Sequence, residues 1–319
     1  MKNAIKIVVI LLCAALVLSS CRKKQHTPEV DTQIMPLEFT AVSQTMVKAG
    51  SETFPYDDFG VWGIARQTGV TQPYILWNSD SMVSVTKVTD GQYVPISAAY
   101  WIVGYTYNFI AVAPYEMVQT TTAINIGSDS GTDRLTFTCD VSDKTDPKFD
   151  LMAAATQNTI STRPTAPQEL TFWHLFTKLT INVSFGDGYT GSVSKIILKN
   201  VDATATYTLS FKDDELSVIC EPGGDGSKEI TVNGEIFLIP QDFSKFELYL
   251  DFVIEKDGKT ITAKDFLASL STLELRSSYN ESYNLNLTIV PKTIDFDVDI
   301  TVTPWEDAPE DNNLIVDIK

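Results

Sequence analysis

Apolar and polar residues alternate with a period of two along most of this chain, and that pattern leaves few folds open. In LEFTAV (37–42), Leu37, Phe39 and Ala41 fall to one side while Glu38 and Thr40 fall to the other. The same alternation runs through FGVWGIA (59–65), YNFIAVAPY (107–115), RLTFTCDV (134–141), KLTINVSF (178–185) and SKIILKNV (194–201). It continues in YTLSF (207–211), EIFLIP (235–240), FELYLDFVIE (246–255), YNLNLTIV (283–290) and TIDFDVDITV (293–302). Successive side chains of a strand point to opposite faces, so each run predicts a strand with a face in a core. Val, Ile, Thr and aromatic residues, which suit a pleated surface, dominate the runs. Gly, Asp, Asn and Pro separate them, as in FGDGYTG (185–191) and PGGDG (222–226), both read as turns. Only AKDFLASLSTL (263–273) has a helical spacing, with Phe266, Leu267 and Leu270 at i, i+1 and i+4. Short strands at this density predict an all-β chain of antiparallel sandwiches or barrels.

The first residues follow a different rule. Lys2 and Lys6 flank the start of an apolar stretch that runs from Ile7 to Leu18. About a dozen residues cannot span a bilayer, which takes roughly 20, but they suit the core of a secretory signal. The stretch ends Leu18-Ser19-Ser20-Cys21, which resembles a bacterial lipobox. Residues 1–20 are therefore read as a lipoprotein signal peptide and Cys21 as the lipid attachment site. Alkylation of its thiol and acylation of its freed amine give several chains, which hold far more firmly than one. The alternative is an ordinary signal beside an incidental cysteine. Residues 21–34, polar and unpatterned, read as a flexible tether, with His26 solvated within it. The expected location is the outer membrane at the cell surface, with membrane lipid as a partner through Cys21.

The whole chain carries 24 basic and 41 acidic residues; residues 1–20 hold two lysines and no acid, so the exported part has 22 against 41, a net charge of −19. Such a surface repels nucleic acid and anionic membranes, and neither is expected as a partner. The remaining 299 residues suggest two domains. The clearest interruption is FGDGYTG, which puts a boundary near Gly186 and divides the chain into 35–186 and 187–319. A domain of about 150 residues buries roughly 70% of its unfolded surface, so neither half needs a disulfide. Cys139 and Cys220 fall one in each half. They are either two buried thiols or a pair, which export permits.

A search for chemistry finds none that coheres. His174, in LTFWHLFTKL, sits between Trp173 and Leu175 and reads as a hydrogen-bonded core residue. No G-x-S-x-G elbow or C-x-x-C pair occurs, and PGGDGSKE lacks the spacing of a phosphate loop. Asp295, Asp297 and Asp299 of DFDVD share one face of a strand, but a calcium loop needs turns to wrap the ion. YDD (56–58) reads as a turn. No catalytic site, metal or cofactor is expected, and the chain is not read as an enzyme.

Five further stretches follow one another in order: YTYNFIAVAPYE (105–116), KFDLMAAAT (148–156), LTFWHLFTKLTINV (170–183), SYNLNLTI (282–289) and TVTPWED (301–307). Together, after a lipobox, they resemble the fimbrillin family of the Bacteroidetes, whose members build type V pili. The first is similar to that family's Y-x-F-x-A-x-x-P-Y strand and the third to its F-x-H-x-(L/F)-x-K-L strand, which gives His174 a family position without a chemistry. The resemblance runs from the lipobox to Trp305. It implies two tandem transthyretin-like antiparallel β-sandwich domains and export as a lipoprotein. It also implies a surface protease that cuts after Arg or Lys in the loop following the first strand. Loss of that strand opens a groove, which the C-terminal strand of another fimbrial subunit fills, and the polymer supports adhesion.

Carried onto this sequence, the scheme makes Leu37 to Val42 the removable strand. Between it and Asp58 the only basic residue is Lys48, followed by Ala49, which marks the processing site. Arg66 ends an apolar run and is expected to be poorly accessible. At the other end EDAPEDNN (306–313) is a pliable spacer before LIVDIK (314–319), whose Leu314, Val316 and Ile318 share one face as a donor strand. A stalk subunit is cut and donates its last strand, a tip is cut but keeps its last strand folded back, and an anchor stays uncut. Lys48 and the terminal strand together favour the stalk. The rival is a lipid-retaining surface protein that binds a glycan or host ligand, with Trp62, Trp77 and Trp101 as its platform. Their places within or beside strands point instead to core packing.

Overall fold

Each alternating run of the sequence has the greater part of its length in a strand of the computed structural model. The structure describes residues 35–45, 51–78, 81–89, 91–118, 122–127, 133–143, 146, 149–212, 215–230, 234–270, 276–291, 296–304 and 314–318. In chain order the strands begin with β1 (Phe39–Gln44), β2 (Ser51–Thr53), β3 (Asp58–Gln67), β4 (Tyr74–Ile75) and β5 (Val83–Thr89). Next come β6 (Gln92–Pro95), β7 (Tyr105–Ala113), β8 (Thr122–Asn125), β9 (Arg134–Asp140) and β10 (Met152–Thr159). Then follow β11 (Gln168–His174), β12 (Thr177–Phe185), β13 (Thr190–Lys212), β14 (Glu215–Ile230) and β15 (Glu235–Leu238). The last are β16 (Glu247–Lys256), β17 (Lys259–Ser269), β18 (Ser282–Pro291), β19 (Phe296–Pro304) and β20 (Leu314–Ile318). The fold class is all-β.

The first sheet is a ring. Its hydrogen-bonded path runs β11-β10-β7-β3-β5-β6-β1, and β1 pairs back onto β11. That last pairing is parallel, from Phe39↔Gln168 to Ser43↔Phe172. On its other edge β1 meets β6 at Phe39↔Tyr93 and β2 from Val42↔Thr53 to Gln44↔Ser51. The interior is aromatic: Phe39, Phe54, Phe59, Tyr93, Phe109 and Phe172 meet one another mostly edge to face. The other side of β3 and β7 packs against a second sheet through Trp62, Ile64, Ile110 and Val112. Both strands are therefore buried on two faces, which is why FGVWGIA and YNFIAVA are nearly continuous apolar runs. Space around β3 is so tight that a Cβ on Gly63 would come within 2.8 Å of Leu76 and Phe109.

The second sheet is organised by one long hairpin. β13 and β14 pair from Ile196↔Ile230 to Lys212↔Glu215. The free edge of β13 is shared end to end, β16 taking Thr190–Lys199 and β9 taking Thr204–Ser210. A third sheet, β15-β12-β18-β19, completes the other side. Two of the cores follow. One joins the ring to β9 and the inner hairpin through Leu135, Phe137, Ala205, Tyr207, Leu209 and Val218. The other joins β12, β15 and β18 to the outer hairpin and β16 through Leu179, Ile181, Ile196, Leu198, Leu250 and Leu285.

The expected boundary near Gly186 is a turn, with Tyr189 N–H donating to the Gly186 carbonyl over 3.0 Å. The cores interleave across it. β12, which precedes Gly186, lies in the second core, and Tyr207 and Val218, which follow it, lie in the first. From Pro36 onward the chain forms a single unit.

Two readings of local sequence are corrected. PGGDG is not a turn: Pro222 to Gly226 continue β14 opposite Ala205 to Val201, and the ladder of the hairpin runs on to Lys212↔Glu215. The glycines fall where the hairpin leaves one core for the other. There the register slips between Lys199 and Val201, and Asn200 and Gly224 adopt positive φ of 59° and 78°. Glycine serves an irregular strand as well as a turn. The described part of AKDFLASLSTL, residues 263–270, does not form a helix. Its first part is the end of β17, paired with β16 from Leu250↔Phe266 to Glu247↔Ser269. Ala268 and Leu270 are buried while Leu267 is exposed, so the true period is two, and the exposed leucine hid it.

Candidate functional site

The feature that stands apart chemically is the seat of β1. Leu37, Phe39, Ala41 and Ser43 alternate inward and are all nearly fully buried, Phe39 completely so. The Phe39 ring lies edge-on to Phe59 at 6.1 Å and to Phe109 at 5.4 Å between centroids. Burying Leu37 and Phe39 contributes roughly 1.5–3 kcal/mol each. The backbone of β1 holds β11 on one side and β2 and β6 on the other. Among the described residues β1 is the only strand that β2 pairs with. Glu38 adds a side-chain bond from Gln92 of β6, 2.7 Å.

The C-terminal end of β1 is held by His174. Its Nε2 donates to the Gln44 carbonyl at 2.9 Å, and its Nδ1 meets the carboxyl of Asp150. Both ring nitrogens face acceptors, so His174 and Asp150 must share two protons, either as imidazolium and carboxylate or as imidazole and carboxylic acid. Asp150 is supported in turn. Its Oδ1 accepts from Leu151 N–H at 2.8 Å, and Tyr56 donates to its backbone carbonyl at 2.5 Å. Burial pushes the Asp150 carboxyl above its usual range, opposed by His174. It pushes the Tyr56 hydroxyl up as well. His174 is thus the hydrogen-bonded core residue the sequence suggested, but its bond to β1 was not foreseen. Asp150 was missed altogether. Its one signal was a lone acid in an apolar run, KFDLMAAA.

Lys48 and Ala49 lie outside the described residues, within the connection from Gln44 to Ser51; Cys21 and Trp305 also lie outside them. Arg66 is poorly accessible as expected, its side chain 18% exposed and both its terminal nitrogens bonded to the Asp133 carboxylate at 2.7 Å. Leu314, Val316 and Ile318 belong to β20, which lies parallel to β14 of its own chain from Leu216↔Leu314 to Cys220↔Ile318. The seat of β1 and β20 are therefore not brought together. Trp62 and Trp101 are buried, and Trp77 is half-buried with its indole N–H on the Ser97 carbonyl at 2.7 Å, so the three form no exposed platform. Cys139 and Cys220 are buried and not joined, and burial pushes the Cys220 thiol up to about 11. Among the described residues no cluster of His, Cys, Asp or Glu could hold a metal ion, and no helix is long and apolar enough to cross a membrane.

Comparison with known proteins bears on this arrangement. The family described as fimbrillin-like matches residues 47–305. A candidate cell adhesion protein from Bacteroides ovatus is 15% identical, with 86% of this chain and 99% of that one covered and a TM-score of 0.50. A second such protein, from Bacteroides uniformis, is 18% identical over 86% and 98% of the chains, with a TM-score of 0.46. A fimbrial protein from Bacteroides vulgatus is 14% identical over 83% and 99%, with a TM-score of 0.48. No curated protein matches the chain. At these identities the likeness to the Bacteroides ovatus structure speaks for a shared fold and nothing finer.

Proposed function

The chain belongs to the fimbrillin-like family, and from that premise we propose that it is a structural subunit of a cell-surface fimbria, assembled by strand exchange. In this reading it is exported as a lipoprotein on Cys21 and cut after Lys48, and a strand from another subunit then takes the seat of β1. No catalytic role forms part of it. The observation that carries it is the double position of β1. That strand closes the ring, and it is the segment that a cut at Lys48 severs from the rest. Once β1 leaves, the edge of β11 exposes unpaired backbone groups, a ready template for another strand. Head-to-tail contacts of this kind do not close on themselves and produce filaments.

One structural observation favours a second reading. β20 already has a place on β14, as in a tip subunit or a lipid-retaining surface protein that does not donate its last strand. Sequencing the N-terminus of the surface form, read together with its multimers on a gel, separates the two, since a tip is cut like a stalk subunit but does not donate its last strand. Cleavage and exchange require Ala49 as the first residue, accompanied by a ladder of SDS-resistant multimers. A surface form that begins at Cys21 and runs as a monomer overturns the first reading in favour of the second.

A further inference from the structure

The seat of β1 is graded by size, and the grading identifies what fills it. β1 and its parallel neighbour β11 complement one another along the ladder. Phe39 stands opposite Gln168, Ala41 opposite Leu170, and Ser43 opposite Phe172. Leu170 and Phe172 are fully buried. The Phe172 ring sits 4.4 Å from Phe54 and 5.2 Å from Phe59, so that aromatic stack already occupies the interior beside Ala41 and Ser43. The volume left beside Gln168 is taken by Phe39 against Phe59 and Phe109. In the direction of β1 the seat therefore reads large, large aromatic, small, small. Ser43 also spends its hydroxyl on the Thr53 carbonyl, at 3.4 Å.

The chain's own terminal strand matches this series in none of the registers that place Leu314 within the seat. With Leu314 at the place of Leu37, Val316 leaves much of the Phe39 volume empty and Ile318 crowds the place of Ala41. Moved on by two residues, Leu314 underfills the aromatic place, Val316 and Ile318 overfill both small ones, and Asn312 enters the buried place of Leu37. Moved by four, Glu310 and Asn312 occupy the two large apolar places. Interiors are packed too closely to absorb such changes of volume, and a buried carboxylate is worse. We propose that this seat selects its occupant by size. Its partner in a fimbria is a strand from a different protein, one that presents a large aromatic side chain two residues before a small one, and not a second copy of this chain. The proposal rests on the strand-exchange reading.

The test uses the whole chain, with the recognition sequence of a site-specific protease in place of residues 46–50, so that after cutting every piece is still present. Displacement of β1 is then followed with three peptides: Pro36–Gln44, Asn312–Lys319, and Asn312–Lys319 carrying Val316→Phe and Ile318→Ala, which restores the Leu-x-Phe-x-Ala series of β1. The expected result is that the first and third displace β1 at concentrations at least tenfold lower than the second. Equal displacement by the unaltered terminal peptide overturns the proposal and makes the partner a second copy. A further arm needs no exchange. In the intact chain, Phe39→Val and Ala41→Ile should each lower the melting temperature, and if neither does, size selection is wrong whatever the peptides do. If both variants lose stability but no peptide displaces β1, its own sequence included, the strand-exchange reading fails and the proposed partner falls with it.

Discussion

At the scale of single residues, the pair His174–Asp150 is where the chain takes a risk. A buried carboxylate next to one imidazole is tolerable only while both partners are present. Removing one strands the other, at a cost of about 3–5 kcal/mol. His174→Ala should lower the urea midpoint accordingly and, by releasing the Gln44 carbonyl, speed cutting after Lys48 by a lysine-specific protease. Unchanged cutting would show that the bond to β1 is incidental. Acid–base behaviour gives a second handle. Burial raises the Asp150 carboxyl above its ordinary 3.8, so its contribution to stability is full below 3.8 and is lost as pH rises through the raised value. Asp150→Asn abolishes that titration and can still donate to His174 Nδ1. The melting temperature of the variant relative to the wild type should therefore climb as pH is raised from below 3.8, and parallel curves would refute the assignment. None of this was legible in the sequence, because the three groups that meet here are far apart in the chain, at positions 44, 150 and 174.

At the scale of elements, period two carried most of the information, since a strand with one wet face must alternate. The exceptions have physical causes. β3 and β7 are covered on both faces, so alternation gives way to continuous apolar runs. At the end of β17 an apolar residue on the wet face, Leu267, beside Phe266 and Leu270 gave a spacing that imitates a helix. Closure of the ring had no local sign at all, because it depends on pairing Phe39 with Gln168 across more than a hundred residues. The terminal strand is where an element-scale experiment decides most. If β20 is a donor, Val316→Asp should abolish multimers and leave a folded monomer with an unchanged melting temperature. Loss of the monomer's own stability would show instead that the strand belongs to β14, where it lies here.

At the scale of the whole molecule, the β13–β14 hairpin decides how the parts behave together. It contributes Ile196 and Leu198 to one core and Tyr207, Leu209 and Val218 to the other. Neither core can come apart without disturbing a strand of its neighbour, so heat should unfold the chain in one transition, with calorimetric and van't Hoff enthalpies in agreement. Two resolved transitions would mean that the cores are independent. The same hairpin matters under tension. Paired strands pulled along their length slide in shear, and all the bonds of the overlap must fail together. The β13–β14 overlap extends from Ile196 to Lys212, whereas that of β1 with β11 extends only from Phe39 to Ser43. In a fimbria joined through that short seat, the joint is the fuse. A filament stretched between two beads should part between subunits and release them folded, at forces that leave the hairpin intact.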